Sequence, residues 1–568
     1  MTHKPRPLLR GAKILLCRKL ARQIATNRRA LRPFPAVVPN LTTTLQPCNP
    51  ETSRTIEDNV VVLRPHPLLS YMFNLNAIVH RHAHTLYVVI GTAYLCYLLI
   101  RALMVPMTID EGYSIMTYVD KPVWQIVAYD YDGISANNHI LNTLSIKFFS
   151  AIFGMNLLTA RLAVLLGALL YVGVGIAFAR RLFSDASSGL ALLLLWLGNP
   201  YLAEFFAIGR GYGLSIGLMA FSIWHGWRWL QQPESALRPL LGALAGAWLA
   251  VAANFTLLSY YLFLSGVILW QLLGQREKRR QGAIAWGVTT ALLTLFLYSP
   301  LRALIRAEEF EKFGVNGFYK DMLYTFVRCG FRGAEYFGSE TYPRFAWGVV
   351  AVGALVLLAG LIRMIRQRGR WDATLWLIAL LPGVMAVNAV MTLSTQATWL
   401  PGRTNVFFYP LLVLSICGAL ANFPATLRLP RQLLLQALAL PVAFHFFYCA
   451  NLSESFEWWF DRDTFKVLDY VKNVHIEEKR SDRIRFNCYW VYNPSFTFHL
   501  KNGPGNYKAH IEPDISWIPM PKPEDNYEFF FADRERKDAL LNDYEVVWVV
   551  QPGDRYLLRK KASNKLTN

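Results

Sequence analysis

Repeated apolar stretches of about 20 residues limit the possible folds more than any other feature of the sequence. Each stretch is long enough to cross a hydrocarbon core of about 30 Å. Only 17% of the 568 residues are charged, against about 25% in soluble proteins, and the mean hydropathy is +0.26. The sequence therefore predicts a polytopic α-helical membrane protein, with about eleven spans at residues 86–106, 157–180, 188–203, 211–230, 238–256, 257–273, 283–299, 343–363, 372–392, 405–422 and 432–450.

The net charge of +20 is best explained by membrane topology. Residues 1–85 hold 13 Lys and Arg residues against three acids, and much of the remaining excess lies in short loops between apolar stretches. If the short apolar stretch 138–153 lies along the interface, these loops all share one side with the N-terminus. We predict a multi-pass protein of the cell inner or plasma membrane with a cytoplasmic N-terminus. We expect the bilayer, and no nucleic acid, as a partner.

The sequence divides into three predicted domains. Residues 1–85 form a basic, largely disordered cytoplasmic extension, and residues 86–450 form the transmembrane domain. The residues from Asp461 onward contain 18 basic and 17 acidic side chains, in alternating helix-like and strand-like runs. This balanced composition predicts a small α/β domain over residues 451–568 on the extracytoplasmic face.

Two adjacent acids, Asp110 and Glu111, follow the first predicted span in the sequence MTIDEGYS. Near a membrane surface, such a pair suits chemistry on a lipid-linked substrate. One carboxylate would take a proton from an acceptor hydroxyl, and the other would fix orientation or hold a cation. An ordinary pair of acids at a helix terminus fits the spacing equally well, so the spacing alone leaves both interpretations open.

Further polar residues map to the same predicted face. Asn137, Asn138 and His139 precede the interfacial stretch, where they would bind phosphate or sugar hydroxyls, or simply cap a helix. Arg210 and Arg403 lie at the outer ends of spans, and arginines in such places either bind anions or snorkel to the interface. Together with the acids, the two arginines predict an anion site.

At this point the sequence resembles a known superfamily. The motifs that carry the likeness are TIDEGYS, NNHILNTLSIKFFSAIFGMNLLTARL, RRLF and GRGYGLSIG, in that order. They are similar to the GT-C glycosyltransferases, in the branch with protein O-mannosyltransferases and lipid A aminoarabinose transferases. The resemblance covers roughly residues 86–420 and implies a GT-C-like fold.

The resemblance also implies an activity, namely transfer of a hexose or pentose from a polyprenyl-phosphate donor to a glycan, lipid or protein acceptor. Transfer would take place on the extracytoplasmic face, with inversion at the anomeric carbon. Asp110 matches the catalytic carboxylate and would act as general base, with Glu111 beside it. Arg210 and Arg403 match arginines that would neutralise the leaving phosphate.

The resemblance implies roles for further residues. The chain has Asn138-His139-Ile140-Leu141 where the family commonly has Lys/His-Pro-Pro-Leu. We expect phosphate contacts from His139 and Lys147, and substrate contacts from Asn137, Asn138, Tyr113 and Tyr212. No cofactor is required in this interpretation, and a divalent cation remains open.

Two other functions compete with this one. A transporter or lipid flippase with an outer accessory domain suits many spans around a polar cavity. It predicts further charged or broken helices near the bilayer midplane, however, and these spans are nearly free of charge between their ends. A polymerase or ligase of lipid-linked glycans predicts a large outer loop with paired arginines, which residues 300–342 supply only in part.

Overall fold

The computed structural model describes residues 67–231, 237–274, 279–309, 314–332, 341–367, 371–395, 398–513, 515–551 and 554–561. The described residues from Leu68 onward belong to one compact unit. Most of the predicted basic extension, residues 1–66, lies outside the described residues. The first helix begins at Pro67, so the predicted domain boundary at residue 86 falls inside a helix.

The described part of the chain is predominantly helical, with a small sheet near its C-terminus, as the fold-class prediction required. The helices are α1 (Pro67–Met104), α2 (Ile109–Ser114), α3 (Val123–Ala128), α4 (Ile140–Phe153), α5 (Leu157–Arg181), α6 (Ala186–Leu197), α7 (Pro200–Phe205), α8 (Gly211–Gln231), α9 (Leu237–Ala253), α10 (Leu258–Gly274), α11 (Arg279–Arg306), α12 (Thr325–Gly330), α13 (Thr341–Arg366), α14 (Ala373–Thr395), α15 (Phe408–Ala421), α16 (Arg428–Cys449), α17 (Thr464–Glu477), α18 (Asn493–Asn502) and α19 (Arg534–Leu540).

Eight segments of the described chain are long and apolar enough to cross a membrane. They are His82–Met104, Leu157–Arg181, Phe255–Leu273, Arg280–Arg306, Thr341–Arg366, Ala373–Thr395, Gly402–Ala421 and Arg428–Cys449. The predicted spans 188–203, 211–230 and 238–256 are not among these eight, so the predicted number of eleven is not confirmed. Helix α4 has 14 residues and is therefore about 21 Å long, which suits the interfacial position predicted for it.

The predicted span 188–203 needs a correction, because it is two helices rather than one. Helix α6 ends at Leu197, and α7 begins at Pro200. Asn199 caps α7 by accepting a hydrogen bond from the Leu202 backbone N–H at 2.9 Å. Proline in the first turn of a helix has no N–H to offer the preceding helix. The hydropathy of the segment masks this break.

Helices α5 and α8 pack unusually closely because glycines face each other where they cross. A Cβ atom on Gly217 would lie 2.2 Å from the backbone oxygen of Gly167. Small residues allow such close approach between membrane helices, where packing replaces the hydrophobic driving force. Nearby, the Tyr171 and Trp196 rings stack with centroids 4.4 Å apart, and each side chain donates a hydrogen bond to the other residue's carbonyl.

The C-terminal region contains a four-stranded sheet with strand order β1-β2-β4-β3. Its strands are β1 (Phe486–Cys488), β2 (Phe529–Asp533), β3 (Tyr544–Val550) and β4 (Arg555–Lys560). Strands β1 and β2 pair in parallel, and the other pairs are antiparallel. Helices α17 and α18 pack on this sheet around a buried apolar core, which gives the small α/β unit that the composition predicted.

A buried ionic cluster joins this region to the membrane helices. Glu204 lies 2.6 Å from Arg332 and 3.4 Å from Arg101, and it accepts a hydrogen bond from the backbone N–H of Phe456. Arg101 also donates to the backbone oxygens of Asn451 and Glu454. Because these donors and acceptors are paired across four parts of the chain, the start of the C-terminal region is anchored at the end of α1.

We predict that Gly217→Ala destabilises the protein while Gly173→Ala does not. The first change forces apart α5 and α8, at a cost of about 1–3 kcal/mol for overpacking. Gly173 lies in α5, whereas Gly217 lies in α8. A Cβ atom at Gly173 would meet nothing within 4 Å. The measurement is the thermal unfolding midpoint of both variants in detergent. Equal midpoints for the two variants would show that the close crossing does not limit stability.

Candidate active site

The first predicted acidic motif forms a short helix, α2, with a closed N-terminal cap. Thr108 Oγ1 accepts a hydrogen bond from the Glu111 N–H, and Glu111 Oε2 accepts one from the Thr108 N–H at 2.9 Å. This capping box satisfies backbone donors that the first turn would otherwise leave unpaired. The two acids differ in exposure: the Glu111 side chain is 1% exposed, and the Asp110 side chain is 19% exposed.

Glu111 is held in a buried ion pair that the sequence analysis missed. Arg161 Nε and Nη2 donate to its two carboxylate oxygens at 2.8 and 2.7 Å. Burial alone would raise the pKa of Glu111, but the Arg161 charge and the hydrogen bonds lower it below the ordinary value. Since donors engage both of its carboxylate oxygens, Glu111 is placed to hold the helix, and Asp110 is the acid of the pair that stays partly exposed.

Arg161 also ties α2 to the end of α1. Its Nη1 donates to the backbone oxygens of Val105 and Ala102, at 2.7 and 3.0 Å. The sequence does contain a signal for this ion pair. Arg161 is a charged residue inside the predicted span 157–180, and a charged side chain in a span needs a partner.

Asp110 meets the two arginines with which it was predicted to converge. Its Oδ2 atom lies 3.2 Å from Arg403 Nη2 and 3.7 Å from Arg210 Nη2. Asp110 lies in the first turn of α2, Arg210 directly precedes α8, and Arg403 lies in the turn before α15. A carboxylate and two guanidinium groups therefore meet where three helical segments begin or end.

Arg210 is nearly fully buried, at 2% exposed, and it is held by its neighbours. It donates to Ser114 Oγ at 2.8 Å and to the backbone oxygen of Asn137 at 3.1 Å, and it also contacts Asn137 Oδ1. Its Nε has no hydrogen-bond acceptor among the described residues. Asn137, predicted to contact substrate, therefore uses its side chain on Arg210.

Arg403 is more open than Arg210, with a third of its side chain exposed. Its Nη1 donates to Glu457 Oε2 at 2.7 Å, and its guanidinium lies 5.3 Å from the centre of the Trp458 ring. The sequence analysis missed Glu457, which is separated from Arg403 by the two helices α15 and α16. Of the two predicted arginines, Arg403 is the more exposed.

His139 is buried beside the arginines and is held neutral. Burial, followed by the positive charges of Arg210 and Arg403, lowers the pKa of His139 well below its ordinary value. Its ring packs edge-on against Tyr212 at 5.0 Å, and its Nε2 has no hydrogen-bond partner among the described residues. A neutral imidazole offers a phosphate one hydrogen bond and no charge, which is less than the prediction assumed.

Two other predicted residues are engaged in holding the loop before α4. Asn138 donates to Tyr131 Oη at 2.8 Å and accepts from Thr143 Oγ1 at 2.9 Å. Lys147 donates to the backbone oxygen of Val119 at 2.8 Å. Both therefore have structural partners, and the substrate role of Asn138 and the phosphate role of Lys147 remain predictions.

The two predicted tyrosines have different aromatic neighbours. Tyr212 packs between His139 and Phe205, with ring centroids 5.0 and 4.9 Å away. Tyr113 packs edge-on against Trp517 of the C-terminal region at 6.3 Å. The predicted role of both tyrosines in substrate binding remains a prediction.

The C-terminal region positions α2 through three contacts. Asp461 Oδ2 accepts from the Ile109 N–H at 2.8 Å, and His499 Nε2 accepts from the Met107 N–H at 2.9 Å. Burial lowers the pKa of His499 to about 3, so its ring is a neutral acceptor. A Cβ atom on Gly112 would lie 2.7 Å from the backbone oxygen of Pro494 in α18, so only glycine permits this approach.

No group of three or more His, Cys, Asp or Glu side chains comes together as a metal site in the described part of the chain. The positive charge described at this site comes from Arg210 and Arg403.

We predict that Glu111→Ala lowers the stability of the protein by about 3–5 kcal/mol, because it leaves the Arg161 charge buried without its partner. Asp132→Ala, at an exposed loop acid, is the control and leaves stability nearly unchanged. Thermal or denaturant unfolding in detergent measures both. A small effect of Glu111→Ala would contradict the structural role given to this acid.

No protein-family model matches the chain, and no curated protein matches its sequence. Its structure is similar to ArnT from Cupriavidus metallidurans in the apo state, at 14% identity and a TM-score of 0.46, over 84% of this chain and 98% of that chain. ArnT bound to undecaprenyl phosphate matches at 15% identity and a TM-score of 0.46, over 84% and 99%. The Archaeoglobus fulgidus oligosaccharyltransferase with zinc and sulfate matches at 11% identity and a TM-score of 0.41, over 82% and 73%.

Proposed function

We propose that the protein is a membrane glycosyltransferase that uses a polyprenyl-phosphate-linked sugar. It transfers a hexose or pentose to a hydroxyl of a glycan, lipid or protein on the extracytoplasmic face. One observation carries the proposal: Asp110 Oδ2 lies 3.2 Å from Arg403 and 3.7 Å from Arg210. A proton acceptor beside two phosphate-binding groups is what this reaction needs.

In this proposal Asp110 acts as the general base. The acceptor hydroxyl oxygen forms a bond to the anomeric carbon while the bond from that carbon to the phosphate oxygen breaks. The hydroxyl proton passes to the Asp110 carboxylate, and the phosphate leaves with the electron pair of the broken bond. Because attack and departure occur on opposite sides of the carbon, the anomeric configuration inverts.

The two arginines have separate tasks. Arg403 is a third exposed and contacts the phosphate as its negative charge grows, whereas buried Arg210 keeps its place and adds a fixed positive charge. Preorganised charges of this kind stabilise a transition state because they need no reorganisation during the reaction. A divalent cation bound with the donor would add to this charge, and comparing activity with and without EDTA tests for it.

The location of the site suits a substrate divided between lipid and water. The donor tail stays in the bilayer and its phosphate lies at the interface, where α4 and the ends of the long helices meet. The distribution of basic loops supports an extracytoplasmic position for this end of the molecule, with the N-terminus in the cytoplasm.

We predict that Asp110→Asn lowers the rate of sugar transfer by about 10²–10⁴-fold, because the amide cannot accept the proton. The assay follows radioactive sugar from undecaprenyl-phosphate and dolichyl-phosphate monosaccharides to glycan, lipid and peptide acceptors in proteoliposomes. Asp132→Asn, on an exposed loop residue, is the control and retains activity.

Two outcomes would contradict this assignment. Full activity in folded Asp110→Asn would reject Asp110 as the base. Movement of the lipid carrier across the membrane without any glycosidic bond formation would favour a flippase instead.

We predict that Arg403→Gln raises the donor KM by about 10–100-fold, which corresponds to the loss of one charged hydrogen bond to phosphate. The variant should also bind undecaprenyl phosphate more weakly, measured as a smaller ligand-induced rise in the unfolding temperature. Arg302→Gln, at an exposed position in α11, serves as control. An unchanged donor KM in Arg403→Gln would exclude phosphate contact by this residue.

A further inference from the structure

Glu457 belongs to the chain segment that leads from α16 into the C-terminal region, and both of its carboxylate oxygens are engaged. Oε2 accepts a hydrogen bond from Arg403 Nη1 at 2.7 Å. Oε1 accepts one from the hydroxyl of Tyr201, which is 1% exposed and belongs to α7. The carboxylate is therefore fixed from one side by a buried phenol and directs its other oxygen at the arginine.

Two carboxylates compete for the same guanidinium. Arg403 offers Nη1 to Glu457 and Nη2 to Asp110, and its plane lies against Trp458. The contact to Asp110 is the longer of the two, at 3.2 Å against 2.7 Å. Arginine binds a single carboxylate best through two parallel N–H donors. The division between two acids prevents that arrangement on Asp110.

We infer that Glu457 is a positioning residue that prevents Arg403 from forming a bidentate ion pair with Asp110. The inference rests on the proposed function. With Glu457 in place, Asp110 keeps lone pairs for the acceptor proton, and Arg403 keeps part of its surface for the donor phosphate. Without that charge, the guanidinium turns onto Asp110 and occupies the atoms that must take the proton.

Trp458 and Tyr201 support this arrangement. The indole ring lies 5.3 Å from the Arg403 guanidinium carbon, which limits the directions the guanidinium can take. The Tyr201 hydroxyl restricts the Glu457 rotamer. The segment that leads into the C-terminal region thus helps to position Arg403 through Glu457.

The test is a double-mutant cycle on purified protein in proteoliposomes, with the transfer assay described above. Glu457→Gln should lower kcat by about 10-fold or more and leave the donor KM within about twofold. In the Arg403→Gln background, adding Glu457→Gln should have little further effect, because the residue acts through Arg403. Glu457→Asp keeps the charge and should recover part of kcat.

Glu454→Gln is the matched control. Glu454 lies three residues earlier, and its side chain pairs with Arg462 at 2.8 Å. This variant should keep wild-type kinetics, and the unfolding temperature of Glu457→Gln should stay close to that of the wild type. A general destabilisation of the segment would change the kinetics and the unfolding temperature of both Glu454→Gln and Glu457→Gln.

The possible results separate this inference from the proposed function. If wild-type protein transfers sugar and Glu457→Gln is fully active, or equally impaired with and without Arg403, the role given to Glu457 is wrong and the glycosyltransferase proposal stands. If the wild type transfers no sugar from any donor in the panel, the proposed function fails, and the inference fails with it.

Discussion

The buried pair between Arg161 and Glu111 is the contact on which the rest of the site depends. It joins α5 to the motif helix α2 and to the last turn of α1 in one network of charged hydrogen bonds. Separating such a pair would leave a charge in a medium of low polarity, which is why both groups stay in place. Because Glu111 is immobilised, its neighbour Asp110 is directed toward the two other arginines.

The charged side chains of the site occur in equal numbers of each sign. Asp110 and Glu457 provide two negative charges against the two positive charges of Arg210 and Arg403, in a region where His139 is held neutral. A balanced cluster is less costly to bury than an isolated charge. In the proposed reaction, a phosphate would meet a guanidinium that Trp458 and Glu457 already hold in place, so little of the protein would have to reorganise.

Much of this arrangement can be predicted from sequence, and the reasons are physical. Long apolar stretches must cross the bilayer, so polar residues at their ends collect on two faces, and that is why Asp110, Arg210 and Arg403 were expected together. Contacts across more than 250 residues leave no local pattern. The pairing of Tyr201 with Glu457 is of this kind. The break before Pro200 was missed because hydropathy averages over it.

The C-terminal region is part of the structure that positions α2 and, with it, Asp110. It accepts the Met107 and Ile109 N–H groups through His499 and Asp461, and it packs against Gly112 at a distance that excludes any side chain there. A six-residue helix such as α2 is not stable in isolation, since short helices gain too few hydrogen bonds to offset nucleation. Its conformation is therefore imposed by tertiary partners, namely Arg161 of α5 and the C-terminal region, and the direction in which Asp110 points depends on them.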